Sequence, residues 1–295
     1  MITDFNTQIA SLIKDYCAPY GALRDALTNV RIAATVNHDQ DIPKWPFEHC
    51  LFSMEPVVAL YNMMYERGAF ENIKDNMSDS ELMDFVQAPS ILAGCLAWEK
   101  VRSVVNIKPH DFHDSLLDCP SSFLTNLPQW AVCINGADLN LTWDDKSVSG
   151  VIFYRYFFAA TDNHPGQSLN GEAPATINNV NSLVIFADGS IELGPFISME
   201  DKQSINDAIK HTEQMMHEQS NLVEVDAQNV PELIAQSSKR TRTIFSYLVY
   251  LLQNQNKLTD AKGQSALLAA NPEPKKTKQG YRIFAPSNTA IFFLD

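Results

Sequence analysis

Four clusters in this 295-residue sequence bring together side chains that could do chemistry. His110-Asp111-Phe112-His113-Asp114 sets two imidazoles three positions apart, and helix positions i and i+3 share a face, so the pair could hold a metal. No third and fourth ligand follows at a recognisable spacing, and such clusters more often cap a turn or a helix start. Glu213 and His217, four apart, could ligate a metal or shuttle a proton; as an exposed helix pair they would contribute about 0.2–0.5 kcal/mol. The other two clusters are basic: Lys239-Arg240-Thr241-Arg242, and Lys275-Lys276-Thr277-Lys278 with Arg282. Each is either a solvated surface or an electrostatic handle for RNA, a ribosome or an acidic peptide. The sequence has no GxSxG, Walker loop, GxGxxG or HExxH, so it points to no cofactor and no metal.

Charge narrows the classes. The net charge is −13, which disfavours coating a polyanion. It is unevenly spread. Residues 1–150 carry 10 basic and 20 acidic residues, 151–235 carry 3 and 12, and 236–295 carry 9 and 3. The sign reverses in the last fifth of the chain, where a local contact with an anionic partner is most plausible on electrostatic grounds. Five scattered cysteines (Cys17, Cys50, Cys95, Cys119, Cys133) form no CxxC pair and no disulfide framework. There is no signal-peptide pattern at the N-terminus and no long apolar span, so a cytoplasmic protein without a membrane segment is expected.

The elements that would position these residues read as an α+β fold, with a helical N-terminal part packed on a mostly antiparallel sheet and further helices. Phe5, Ile9, Leu12, Ile13 and Tyr16 recur at helical spacing, with Pro19 and Gly21 after them. Ala22–Val36 and Leu51–Tyr65 are further helical candidates, the latter stopped by Gly68 and separated from the former by a Pro-containing loop over 41–50. Ser78–Glu81 offers N-cap chemistry for a helix over Ser80–Val105, interrupted near Pro89. Trp130, Val132 and Ile134 alternate as on a strand, as do Leu139, Leu141 and Trp143; Val148–Ala160 is β-branched and aromatic. A polar loop over 162–181 precedes a hairpin of Leu183–Phe186 and Ile191–Leu193 turned at Asp188-Gly189. Helices over Ser198–His217 and Pro231–Asn254 follow, then a linker over 255–280 and two short apolar runs, Tyr281–Phe284 and Ala290–Leu294. The expected division is 1–106 (helical), 107–254 (sheet plus helices) and 255–295 (basic linker and C-terminal segment), within what can be one continuous domain.

Four stretches carry a family resemblance. FLTNLPQWAVCIN (123–135) resembles the Leu-Pro-x-Trp motif that leads into a strand in a type V-A anti-CRISPR family of phages and mobile elements. ILAGCLAWEKVRSV (91–104) is similar to that family's Ala-Trp helix, GPFISMEDKQSI (194–205) to its strand, Pro-Phe and helix junction, and PKKTKQGYRIFAPS (274–287) to its basic segment. The matches occur in the family's order over most of residues 90–295. The resemblance implies a protein that lowers the level of the type V-A CRISPR effector nuclease by binding its emerging N-terminal peptide, followed by loss of its message.

On that reading the partner is the effector polypeptide, with the translating ribosome or mRNA reached through the basic C-terminal segment. Lys275, Lys276, Lys278, Arg282, Arg240 and Arg242 are the expected peptide or RNA contacts, and Trp98, Trp130, Pro195 and Phe196 match family motifs as architecture. Family members continue into a tail rich in Arg, His and Trp, whereas this sequence stops at Asp295. The resemblance therefore carries over binding by the body more than any contact made by the tail. Two other classes stay open: an accessory protein of a mobile element with a different partner, and a hydrolase or nuclease with an unrecognised acidic site.

Overall fold

The structure, a computed structural model, describes residues 2–18, 79–137, 139, 141–143, 145–159, 176–199, 203–220, 230–272, 275–278 and 280–295. The helices expected over Ala22–Val36 and Leu51–Tyr65, the loop 41–50 between them and residues 162–175 lie outside the described residues.

The apolar alternation forms strands β1 (Ser103–Ile107), β2 (Ala131–Asn135), β3 (Thr142–Trp143), β4 (Lys146–Ala159), β5 (Thr176–Phe186), β6 (Ile191–Ser198) and β9 (Ala290–Leu294). They build one mixed sheet in the order β6-β5-β4-β2-β1-β9, with β3 hydrogen-bonded to β4. The half running from β2 through β6 is antiparallel, and β1 pairs parallel with both β2 and β9. A separate hairpin, β7 (Lys275–Thr277) with β8 (Gly280–Arg282), follows the helices. The helices are α1 (Ile2–Cys17), α2 (Asp79–Val101), α3 (Ile205–Ser220) and α4 (Val230–Gln253).

The central strands are buried on both faces, so their apolar residues run almost continuously and successive side chains point to opposite cores. Val105, Val132, Ile134, Val151, Phe153, Val184 and Phe186 face α3 and α4. Val104, Ala131, Cys133, Ile152, Tyr154, Leu183 and Ile185 face α1 and α2. The result is an α+β fold with a helical layer on each side of the sheet. Gly94 of α2 lets that helix come close to this face of the sheet. A Cβ added at Gly94 would lie 2.7 Å from Leu183 Cδ1 and 2.8 Å from Tyr154 Cε1, and the Tyr154 hydroxyl donates to the Ser90 carbonyl at 3.0 Å. Helix α1 is tied down by Phe5, Ile9 and Ile13 and by an amide network, in which Asn6 Nδ2 (3.3 Å) and Asn135 Nδ2 (2.7 Å) both donate to Asn106 Oδ1.

Several sequence expectations are corrected. Helix α2 runs through Pro89 and ends at Val101; residues 103–107 are strand rather than helix. Burial of Ile91–Trp98 against the sheet outweighs a proline cost of about 3 kcal/mol, and the β-branched Val104, Val105 and Ile107 fit between two parallel neighbours. Arg102, at φ 46°, makes the turn, its N–H bonded to the Trp98 carbonyl at 2.7 Å as in a left-handed helix cap. Trp130 precedes β2 and packs in the α2 core, on the face opposite Val132 and Ile134. Leu139 belongs to a turn, and only Thr142–Trp143 of its run is strand.

The Asn-rich residues 176–181, expected as loop, extend β5, because they pair with Tyr154–Ala159 of β4 and in part with β6. The expected linker is ordered over 255–272: Leu258 is buried, Thr259 exchanges both backbone hydrogen bonds with Phe293 of β9, and Gln129 Nε2 donates to the Ala269 carbonyl at 2.6 Å. The final residues then close the sheet edge as β9, beside β1 from the N-terminal stretch.

Candidate binding surface

The basic run on α4 divides according to helix geometry. Gln236, Lys239, Arg240, Thr243 and Ile244 recur at i, i+3, i+4, i+7 and i+8 and form one stripe. That stripe faces the β3–β4 hairpin across a groove of about 400 Å³. The hairpin is tight: Trp143 pairs with Lys146, and Asp145 takes a left-handed φ of 62°, which an Asp tolerates better than most residues. Val148, Val151, Val184 and Ile244 form an aliphatic floor. Arg240 lays its guanidinium over the Trp143 ring, 5.1 Å from the centroid, and Lys239 and Asp145 stand on opposite rims. Stacking holds the guanidinium plane against the ring.

Arg242 points elsewhere. Its Nη1 donates to Asn206 Oδ1 at 3.1 Å, Asn206 Nδ2 donates to Asp118 Oδ1 at 2.7 Å, and Arg242 Nη2 lies 3.9 Å from Glu213 Oε2. The residue links α4 to α3 and, through Asn206, to the 3₁₀ turn at Asp114–Asp118. Glu213 thus faces Arg242, and His217 lies half-buried further along α3.

The second basic cluster forms the β7–β8 hairpin, in which Lys275 pairs with Arg282 and Lys276 with Tyr281 in register. Lys275 and Lys278 are exposed, and Phe284 just beyond the hairpin is exposed by 53%. The preceding segment anchors to the body where the Trp130 N–H donates to Asn271 Oδ1 at 2.8 Å.

The paired histidines serve local structure. The His110 ring packs on Tyr250 at 4.6 Å, and its Nδ1 donates to the Lys108 carbonyl at 2.9 Å. His113 Nδ1 instead accepts from the Ser115 N–H at 3.3 Å and caps the 3₁₀ turn. One ring carries its proton on Nδ1 and the other must carry it on Nε2, as each hydrogen bond demands. Among the described residues no group of three or more His, Cys, Asp or Glu is placed to hold a metal. No described helix is long and apolar enough to cross a membrane.

The motif residues fall in two settings. Trp98 and Trp130 are fully buried in one core, with Trp98 Nε1 donating to the Ser103 carbonyl at 2.9 Å. Pro195 and Phe196 sit on β6 at the end of the sheet path; the Pro195 carbonyl accepts from Ser182 Oγ at 2.6 Å, and Phe196 is exposed by 54%. Proline removes a ladder donor from this edge, a known way of blunting strand addition. Gln236, Thr243, Trp143 and Asp145 were not singled out as contacts by sequence. The helical spacing around Lys239 and Arg240 marks the first two, but only the fold brings the hairpin residues opposite them.

No protein-family model matches the sequence, and neither does any curated protein. Among solved structures, the chain is similar to a crystal structure of AcrVA2, with a TM-score of 0.59, over 95% of this chain and 82% of that one. The two are 16% identical, so what this likeness establishes is a shared fold.

Proposed function

We propose that this chain is an anti-CRISPR binding protein directed at a type V-A effector nuclease. The observation that carries the reading is the AcrVA2-like fold along 95% of the chain; AcrVA2 is a type V-A anti-CRISPR protein. The ordered sequence motifs around Trp98, Trp130, Pro195-Phe196 and Lys275–Arg282 point the same way. In this reading the body captures the emerging N-terminal peptide of the effector, and effector protein and message then fall. The groove beside α4 supplies an apolar and cationic receptor. Lys275, Lys276, Lys278 and Arg282 supply a salt-sensitive contact to the translating ribosome or its message.

Co-expression tests it. The tagged chain is produced with a type V-A effector, and effector protein, effector mRNA and co-purified effector are measured. The reading expects the first two to drop and the effector to co-purify. Unchanged levels with no co-purification would sink it and leave an accessory role with another partner.

A further inference from the structure

We infer that Cys17 and Cys95 are a redox pair, and that oxidation by a peroxide joins them in a disulfide that fastens helix α1 to helix α2. The inference stands apart from the choice of effector as partner, because it concerns how the N-terminal helix is held.

The fold brings together two sulfurs that the sequence keeps far apart, with residues 18–94 between them. Helix α1 ends at Cys17, and Cys95 lies within α2 beside Gly94, where that helix approaches the sheet. Both are free thiols, 2% and 0% exposed, in the core that α1, α2 and one sheet face share. The Cys95 thiol donates a hydrogen bond to the Cys17 sulfur. Sulfurs in such contact need only a short movement to reach the roughly 2.05 Å of a disulfide. Cys17 can supply it, because the carbonyl of a last helical residue has no intrahelical partner to lose.

Access differs between the two. Cys17 lines a cavity of about 200 Å³ whose wall includes the charged Lys14, Glu99 and Arg102, while Cys95 is not in that wall. A peroxide is small and polar, and a cavity of this size and polarity admits it as it would water. Contact with Cys17, and then burial, keep the proton on the Cys95 sulfur. Cys17 is therefore the sulfur that meets the oxidant, and Cys95 is the one that resolves it.

The chemistry proceeds in two steps. The Cys17 sulfur attacks one peroxide oxygen, the O–O bond breaks, Cys17 becomes a sulfenic acid, and the second oxygen leaves as water with the thiol proton. The Cys95 sulfur then attacks the Cys17 sulfur. The S–O bond breaks as the S–S bond forms, and the sulfenic oxygen leaves as water with the Cys95 proton. Two thiols are oxidised by two electrons in all, and one peroxide is reduced to two waters. A thiol reductant reverses the bridge by exchange. While it lasts, the bridge closes a loop over residues 18–94, restricts the unfolded chain, and adds to the hold of Phe5, Ile9 and Ile13 on α1.

The test uses the full chain, reduced and then freed of reductant. It is treated with hydrogen peroxide, quenched with N-ethylmaleimide, digested without reduction and mapped by mass spectrometry. A linked Cys17–Cys95 peptide should appear, two thiols should be lost for each link formed, and dithiothreitol should restore both. The Tm of the oxidised chain should rise by about 5 °C or more, and Cys95→Ala should abolish the link and the shift. Cys17 and Cys95 recovered as separate alkylated or sulfinic peptides, a link between other cysteines in place of this one, a link that forms only in urea, or an oxidised chain no more stable than the reduced one would each overturn the inference. The mapping, the thiol count and the Tm comparison all use the wild-type chain, so they decide the matter even if Cys95→Ala fails to fold.

Discussion

Gly150→Ala tests how the N-terminal helix is held. Gly150 lies on β4, opposite Asn135 of β2, and its missing side chain makes room for the Phe5 ring of α1. A Cβ there would lie 2.3 Å from Phe5 Cζ and 2.8 Å from Cε1, distances real Cβ atoms do not adopt, so the ring must shift out of its present position. Phe5 is 6% exposed, and losing its burial forfeits up to about 1.5–3 kcal/mol. Replacing glycine by alanine returns roughly 0.4–1 kcal/mol by restricting the unfolded chain. The expected net destabilisation is therefore about 1–2 kcal/mol, or a fall in Tm of roughly 2–8 °C for a chain of this size class. Calorimetry on wild type, Gly150→Ala, Phe5→Leu and the double variant forms a cycle. Because Phe5→Leu vacates the ring position, the double variant should be more stable than the sum of the single effects by at least about 0.5 kcal/mol. A Gly150→Ala protein as stable as wild type, or a cycle that simply adds, would refute this account of how α1 docks.

Three further expectations follow from the same geometry. Arg242→Ala should cost about 1–3 kcal/mol in denaturant unfolding, because it strips a partner from the buried Asn206, whereas the exposed Lys239→Ala should stay within about 0.5 kcal/mol. The Ser190 hydroxyl, and then its backbone N–H, hold the Asp188 carboxyl below its ordinary value of 3.8. Its contribution to stability is thus present above 3.8 and lost as pH falls through the lowered folded value, and NMR titration should show Asp188 moving up toward 3.8 in Ser190→Ala. Burial raises the thiols of Cys133 and Cys119, and contact with Cys17, ahead of burial, raises that of Cys95. Alkylation of the native protein followed by peptide mapping should find Cys119, the half-buried one, modified before the buried Cys17, Cys95 and Cys133.

Much of the layer structure was legible because it rests on local periodicity. The stripe Phe5, Ile9, Ile13 on α1 and the β-branched run of β4 follow from residue types alone. So does the turn at Asp188-Gly189, where Gly189 adopts φ 88°. The misreadings share one cause, which is that distant partners outweigh local preference. Pro89 stays helical because Ile91–Trp98 have a sheet to bury against, and Asn179 and Asn181 are strand because β4 and β6 pair with them. The basic run on α4 was visible as a cluster, but not its division. Lys239 and Arg240 turn toward the hairpin while Arg242, about 200° further round the helix from Arg240, turns toward α3. The groove itself needed β3, β4 and α4 together, and no window of sequence contains all three.

The most direct measurement of the central claim is capture of a nascent chain. Ribosomes stalled after translating the N-terminal segment of a type V-A effector are incubated with the tagged protein, and retention is compared with ribosomes carrying a scrambled segment of the same composition. The account predicts retention of the effector-bearing ribosomes, reduced by raising the salt and by charge reversal at Lys275 and Lys278. Equal retention of both, or of neither, would contradict it.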